Sequence, residues 1–211
     1  MRILASIPAC HINHVQYRQW VVDAVLANLN SVDNVEATLS VYKEADDRVD
    51  KENTWNGVVD KFQEASDRAV KEGYDYLWIV EADVIIPPHA LTHLLSMDAD
   101  VACGVTPYHF QNYLNDPHFK GLCCTGYVKP NWANINLYLD EIRDKVLVGS
   151  KDKMIFNGTG CILIKTDVLK KIRWRWDNKV SGFDVYFWVD VQQADFKAVT
   201  DGYVVCEHLG N

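Results

Sequence analysis

No two cysteines in this chain have the C-x-x-C spacing of a redox or zinc motif, and no apolar stretch approaches the length of a membrane span. No run of lysine or arginine offers a docking strip to nucleic acid or anionic lipid, and no internal repeat or disordered tract is visible. These absences exclude metal-ribbon modules, integral helical membrane proteins, solenoids and general polyanion binders. The charge balance agrees: 29 acidic residues against 21 basic ones give a net charge of -8, which repels polyanions at long range. An anionic substrate would therefore need local cations or a bound metal to offset that field.

Six cysteines are present, Cys10, Cys103, Cys123, Cys124, Cys161 and Cys206, most of them inside apolar strand-like runs. Free thiols in such places behave as small hydrophobes, so a reducing cytoplasm is the expected location. The run Met1–Pro8 is too short for a secretory signal, in keeping with that expectation. Cys123 and Cys124 are neighbours on an expected strand and should face opposite ways, which argues against a shared soft-metal site.

With 211 residues, 48% of them hydrophobic and 24% charged, the chain fits one large domain with an ordinary core. Hydrophobic periodicity predicts a strand over 2–7 and an amphipathic helix over 14–29 carrying Val15, Trp20, Val21, Val25 and Leu29. A strand over 35–42, a carboxylate-rich loop over 43–53 and a helix over 54–72 ended by Gly73 follow, then a strand over 75–80. This βαβαβ order predicts a mostly parallel sheet flanked by helices, with ligands bound beyond the carboxyl ends of the strands. Pro87 and Pro88 introduce a short helix over 89–95, and a strand resumes over 100–104. The span 107–135 reads as hairpins and long loops, and 137–145 as helical. A strand over 161–164, helices over 166–172 and 183–194, and strands over 197–200 and 203–206 complete the pattern.

The most informative stretch is Tyr76–Pro88, where an apolar strand runs into Glu81 and Asp83, one residue apart. If the extended backbone persists through Ala82, both carboxylates point the same way and offer oxygen ligands to a hard divalent cation. Acidic residues also end strands as solvated turn formers, and the spacing alone leaves both readings open. His89 and His93 form an i, i+4 pair of zinc-ligand spacing, but His-Ala-Leu-Thr-His lacks the glutamate of the metalloprotease motif.

Three segments in order carry a family resemblance. The first, Glu-Ala-Asp-Val-Ile-Ile-Pro-Pro-His-Ala-Leu-Thr-His-Leu-Leu from Glu81, resembles a D-x-D followed by a proline-initiated helix. The second, Gly158–Lys165, is similar to a strand of the form G-x-G-x-x-L-I-R. The third, Gly182–Trp188 followed by Ala194–Lys197 and Val204–Leu209, is similar to G-E-D-x-x-F, then A-G-Y-K, then a strand ending in histidine. Together they resemble GT-A fold glycosyltransferases of the family 2 type. The resemblance implies a single Rossmann-like domain, with a nucleotide-donor-binding half over 1–104 and an acceptor-side half over 105–211 that completes the metal site.

It further implies that Asp83 binds Mn2+ (or Mg2+) directly, that Glu81 contacts the metal through water or the donor ribose, and that His208 is a further ligand. Imidazole beside carboxylate favours Mn2+ modestly. Asp184 matches the catalytic base of inverting members; on sequence alone it is equally a helix-start acid favoured by the dipole. Phe183 departs from the family, which has an acid there. Pro8 and Ala9, with Ile7, would line the base pocket through backbone groups, while Tyr42, Glu44 and Asp46 follow the second strand where relatives contact the base. Asn56, Gly57 and Lys61 open the second helix much as in relatives, with Lys61 toward a phosphate. Tyr108, Phe110, Tyr113, Trp132, Trp174 and Trp176 are either sugar-stacking aromatics or core fillers.

The implied activity is transfer of a sugar from a UDP- or GDP-sugar to a hydroxyl of a glycan, lipid or protein, with inversion. Two rivals share the fold. A nucleotidyltransferase would carry a glycine-rich loop after strand one, whereas Ile7–Ile12 contains no glycine. A catalytically silent glycan- or nucleotide-binding protein draws its support from Phe183.

Overall fold

The computed structural model describes residues 1–8, 18–42, 55–108, 121–177 and 182–209. The first half follows the expected order: β1 (Arg2–Ile7), α1 (Arg18–Asn30), β2 (Glu36–Val41), α2 (Asn56–Lys71) and β3 (Tyr76–Val80). Next come the two-residue β4 (Val84–Ile85), α3 (Ala90–Ser96) and β5 (Val101–Val105). The second half contributes β6 (Leu122–Val128), β7 (Ala133–Tyr138), the single turn α4 (Leu139–Ile142), β8 (Val146–Gly149), β9 (Lys153–Asn157) and β10 (Cys161–Lys165). It ends with α5 (Thr166–Leu169), α6 (Phe183–Gln193), β11 (Ala198–Val205) and β12 (Glu207–His208).

Seven strands form the central sheet in the order β2-β1-β3-β10-β5-β11-β8. β1, β2 and β3 are mutually parallel, as are β5 and β11, while β10 lies antiparallel to both β3 and β5, and β8 antiparallel to β11. Most strands therefore share one direction, and the strand from the Gly158–Lys165 segment wedges between the two parallel groups. The strands alternate side chains between two cores. Leu4, Leu77, Ile79, Ile162 and Ile164 face α2 and α6. Ile3, Ala5, Trp78, Val80 and Leu163 face α1 and α3. A second sheet, β7-β6-β9, stands apart and covers a third, smaller cluster.

Several expectations shift. In α1 the buried face is Val21, Val25, Asn28 and Leu29, while Trp20 is 59% exposed, because that face follows the 3.6 repeat from Val21 and Trp20 falls beside it. Asn28 replaces an apolar residue there with every polar atom used: Nδ2 donates to Ala24 O and Pro87 O, and Oδ1 accepts from Leu91 N–H. It ties α1 to the start of α3. Cys123 and Cys124 are both buried, since the β6 register slips between Leu122 and Cys124 and breaks strict alternation. The span 137–145 is the end of a strand plus one turn, closed by Tyr138 N–H donating to Glu141 Oε2 at 2.9 Å. β11 is one strand with an irregularity between Asp201 and Val205, where two strands were expected. Gly73 ends α2 as expected, with a left-handed φ of 71° that favours glycine. Among the described residues, no helix is long and apolar enough to cross a membrane.

Candidate active site

Glu81 and Asp83 lie where β3 ends, at the carboxyl edge of the parallel strands. The extended backbone stops at Val80, and Val84 N–H closes a turn onto Glu81 O at 3.1 Å. The two carboxylates are therefore juxtaposed by a turn, not by strand alternation. Backbone bonds clamp that turn from both sides: Glu81 N–H donates to Gly160 O at 3.0 Å and Ala82 N–H to Pro8 O at 3.3 Å. Asp83 is completely buried.

His208 arrives from 125 residues away. The ladder of β4 and β12 pairs Val84 with His208 and Ile85 with Glu207, and Leu209 N–H donates to Asp83 O at 2.8 Å. This places His208 Nε2 3.0 Å from Asp83 Oδ2. Burial works against a charged imidazole, yet the hydrogen bond and charge of Asp83 outweigh it and hold the His208 pKa above its ordinary value. Glu81 is pushed up to about 7, chiefly by burial and then by the charge of Asp83. Thr159 opposes that shift, its Oγ1 donating to Glu81 Oε1 at 2.6 Å. The glycine-rich turn before β10 thus holds Glu81 through both its backbone and its hydroxyl. A side chain at Gly160 would meet Thr106 Oγ1 at 2.6 Å, so the close passage of this turn requires glycine.

Asp184 sits in the first turn of α6, its Oδ1 accepting Val185 N–H at 3.0 Å. Burial pushes its pKa up to about 6 against that bond. Its charge is felt at Glu81, which places the two carboxylates in one electrostatic neighbourhood. The carboxylate folds back beneath Gly182, leaving no room for a Cβ there. Phe183, beside it, is 4% exposed and packs edge-on against Phe62 at 5.0 Å, with Trp55 and Trp174 close by. The departure from the family's acid therefore supplies an apolar anchor that fixes the start of α6. The far end of that helix is held by buried Gln192, which accepts from Ile155 N–H at 3.0 Å and donates to Ile155 O at 2.8 Å.

The other candidates divide. Pro8 is buried at the end of β1, and its carbonyl is engaged by Ala82. Tyr42 and Lys61 are brought together, the Tyr42 hydroxyl donating to Lys61 O at 3.3 Å, while burial and Glu64 raise the phenol to about 12. Ala9, Glu44, Asp46, Phe110 and Tyr113 lie outside the described residues. Trp174 is core: it stacks on Phe187 at 3.9 Å and donates its Nε1–H to Ser66 Oγ. Tyr108 and Trp132 are exposed. Thr159 was missed on the sequence; its place between two glycines in Gly158–Gly160 was the available signal.

The buried Asp83, the half-buried Glu81 and an imidazole of raised pKa form a donor set suited to a hard or borderline divalent cation, which would offset the Asp83 charge that helps to lift Glu81. Asp83 Oδ2 and His208 Nε2 bond to one another, and among the described residues no three His, Cys, Asp or Glu groups form a ready-made metal cage. A cation would enter by replacing the Asp83–His208 bond.

Comparison with known proteins follows this geometry. The family model described as Glycosyltransferase like family 2 matches residues 3–210. No curated protein matches the chain in sequence. Among solved structures, the crystal structure of A197 from STIV is similar over 100% of this chain and 87% of that one, with a TM-score of 0.54 and 18% identity. A CMP:2-keto-3-deoxy-manno-octonic acid synthetase complexed with CTP is similar over 100% of this chain and 91% of that one, with a TM-score of 0.50 and 11% identity. At such identities these likenesses show the fold alone.

Proposed function

Since the chain belongs to the Glycosyltransferase like family 2, a family of nucleotide-sugar-type transferases, we propose that it moves a sugar from a nucleotide diphosphate donor to an acceptor hydroxyl with inversion, using Mn2+ or Mg2+. The observation that carries this reading is the meeting of Asp83, Glu81 and His208 beside Asp184 at the carboxyl edge of the sheet. Asp83 and His208 would hold the cation, with Glu81 supporting through water or the donor ribose. The bound cation supplies positive charge to the diphosphate as it leaves. Asp184 accepts the proton of the acceptor hydroxyl while its oxygen bonds to the anomeric carbon and the sugar–phosphate bond breaks toward the diphosphate. A carboxyl with a pKa of about 6 is a stronger base than an ordinary aspartate and is still ionised at neutral pH.

Pro8, Ala9, Tyr42, Asp46 and Lys61 are proposed donor contacts, with the Tyr42 hydroxyl resting on the backbone carbonyl of Lys61. The buried Phe183 anchors the start of α6, and the acid that relatives carry at this position has no counterpart there, which is what a catalytically silent reading would rest on. The decisive experiment offers the protein Mn2+ with a panel of UDP- and GDP-sugars, and separately with nucleoside triphosphates and sugar phosphates. Release of nucleoside diphosphate supports the proposal, release of pyrophosphate assigns a nucleotidyltransferase, and no metal-dependent binding of any nucleotide overturns both.

A further inference from the structure

Away from the carboxylates of β3, two imidazoles face the outer side of β11. His89 immediately precedes α3 and His93 lies one turn on, their ring centroids 4.8 Å apart with planes inclined at 62°. Each ring turns one nitrogen toward an oxygen of β11. His89 Nε2 lies 3.3 Å from Tyr203 O, an acceptor that requires Nε2 to carry the proton. His93 Nδ1 faces Asp201 Oδ2 at 3.5 Å. Asp201 is completely buried; its Oδ1 accepts Tyr203 N–H at 2.9 Å, while Oδ2, like His93 Nδ1, has no hydrogen-bond partner.

A buried carboxylate oxygen without a donor is costly, so something must make its place in the fold worthwhile. The pattern on the two rings suggests what. Metal-ligating histidines turn one ring N–H toward a carboxylate or backbone carbonyl, which fixes the tautomer and leaves the other nitrogen's lone pair for the metal. Here one ring has a carbonyl behind it and the other a carboxylate. The remaining nitrogens, Nδ1 of His89 and Nε2 of His93, belong to rings that meet edge to face one helical turn apart.

We propose that His89 and His93 form a second metal site, taking a borderline divalent transition metal of the zinc class, with Asp201 and the Tyr203 carbonyl orienting the rings from behind. Two protein nitrogens would hold the metal and solvent would fill the other positions, one protein ligand fewer than open zinc sites usually carry. The ligand chemistry separates it from the carboxylate site: imidazole suits zinc, whereas the carboxylate-rich pair of Glu81 and Asp83 suits Mn2+ or Mg2+. The site would fasten the start of α3 to β11, the strand that continues into β12 and His208. Nothing in this argument depends on the transferase reading.

The test is a calorimetric titration with Zn2+ alone, in a His208→Ala background so that the other site loses its imidazole. One binding event is expected to weaken at least tenfold on adding either His89→Ala or His93→Ala, and about tenfold on adding Asp201→Asn. Because Asp201 is buried and its replacement can disturb folding, His93→Gln serves as a surface variant, checked by circular dichroism, and should show the same loss. Zn2+ should also raise the melting temperature of the parent and not of the His93 variants. An isotherm unchanged by both His89→Ala and His93→Ala overturns the site, and transfer with Mn2+ in a His93→Ala protein should match the wild type.

Discussion

The two ends of the central sheet treat charge in opposite ways. At the amino edge of the parallel strands Asp75 and Asp100 meet donors from the chain. Arg2 N–H donates to Asp75 Oδ2 at 2.7 Å while the Arg2 guanidinium donates to Glu72 O and Gly73 O at the end of α2. Asp100 receives Lys165 Nζ at 3.4 Å and Lys197 N–H at 2.9 Å, and Lys197 Nζ caps Met97 O and Asp98 O after α3. The cations also complement the helix dipoles that end there. At the carboxyl edge, Glu81, Asp83 and Asp184 gather, and the basic group bonded to Asp83 is an imidazole. The first edge is neutralised by the chain itself; the second is left with a surplus of negative charge that a cation would settle. One end is closed by its own ion pairs, and the other is where the proposed cation would bind.

Breaking the second edge should have the largest effect. Asp83→Ala is expected to lower metal-supported kcat/KM about a thousandfold, or about 4 kcal/mol of transition-state stabilisation, in a donor-turnover assay with Mn2+. Unaltered activity with unaltered metal dependence would place the site elsewhere. Asp184→Asn should cut kcat by roughly 10²- to 10⁴-fold while donor affinity by calorimetry stays the same. A parallel loss of donor binding would reduce Asp184 to a helix-start acid.

Thr159→Val sharpens the contrast, because it removes the hydroxyl that orients Glu81. Mn2+ affinity should fall about tenfold and recover in Thr159→Ser. Recovery failing in the serine variant would mean that the threonine methyl, not the hydroxyl, matters.

The pH dependence follows from three raised pKa values. Glu81 moves from 4.5 to about 7, Asp184 from 3.8 to about 6, and His208 upward from 6.5. Each group binds protons more tightly in the folded state, so its stabilisation is complete below the unfolded pKa and is lost as pH rises through the folded one. The melting temperature of protein kept in EDTA should therefore fall between about pH 4.5 and 7, and Glu81→Gln should flatten part of that slope. Stability rising over the same range would contradict the burial argument. The smallest effect belongs to the amino edge: Glu36→Gln breaks the exposed pair with Arg2 and should cost less than about 1 kcal/mol, with no change in turnover.

Much of this plan was legible because periodicity and punctuation agreed. The βαβαβ opening, the glycine that ends α2 and the prolines before α3 each carry a local physical signal, and the described ends of these elements fall within a residue or two of expectation, the start expected for α1 at 14 lying outside the described residues. The acid pair and His208 were legible through the order of motifs, although the backbone brings the acids together by a turn that alternation did not foresee. What stayed hidden depends on tertiary packing. Trp20 and Trp174 carry the same side chain, yet one is solvated and the other stacked in the core. Phe183 read as a lost acid because a sequence does not show the cluster of Phe62, Trp55 and Trp174 that it joins. Strands β8 and β9 are short and set at the margins, where hydrophobic alternation is weak, and Asp201 looked like a break between strands when it is a buried irregularity within one.

The reversed position of β10 has a consequence for how the chain is made. β3 and β5 are buried, apolar strands complete before residue 106, but the strand that joins them, Cys161–Lys165, emerges some sixty residues later. Until then β3 is paired only with β1 and β5 has no partner, since β11 is made later still. Closure must wait for a long-range contact, which slows folding and prolongs the interval in which a nascent chain is vulnerable to association. The segment that seats Glu81 thus also joins the two groups of parallel strands, and the sheet is complete only when β11 follows and carries His208 to the site.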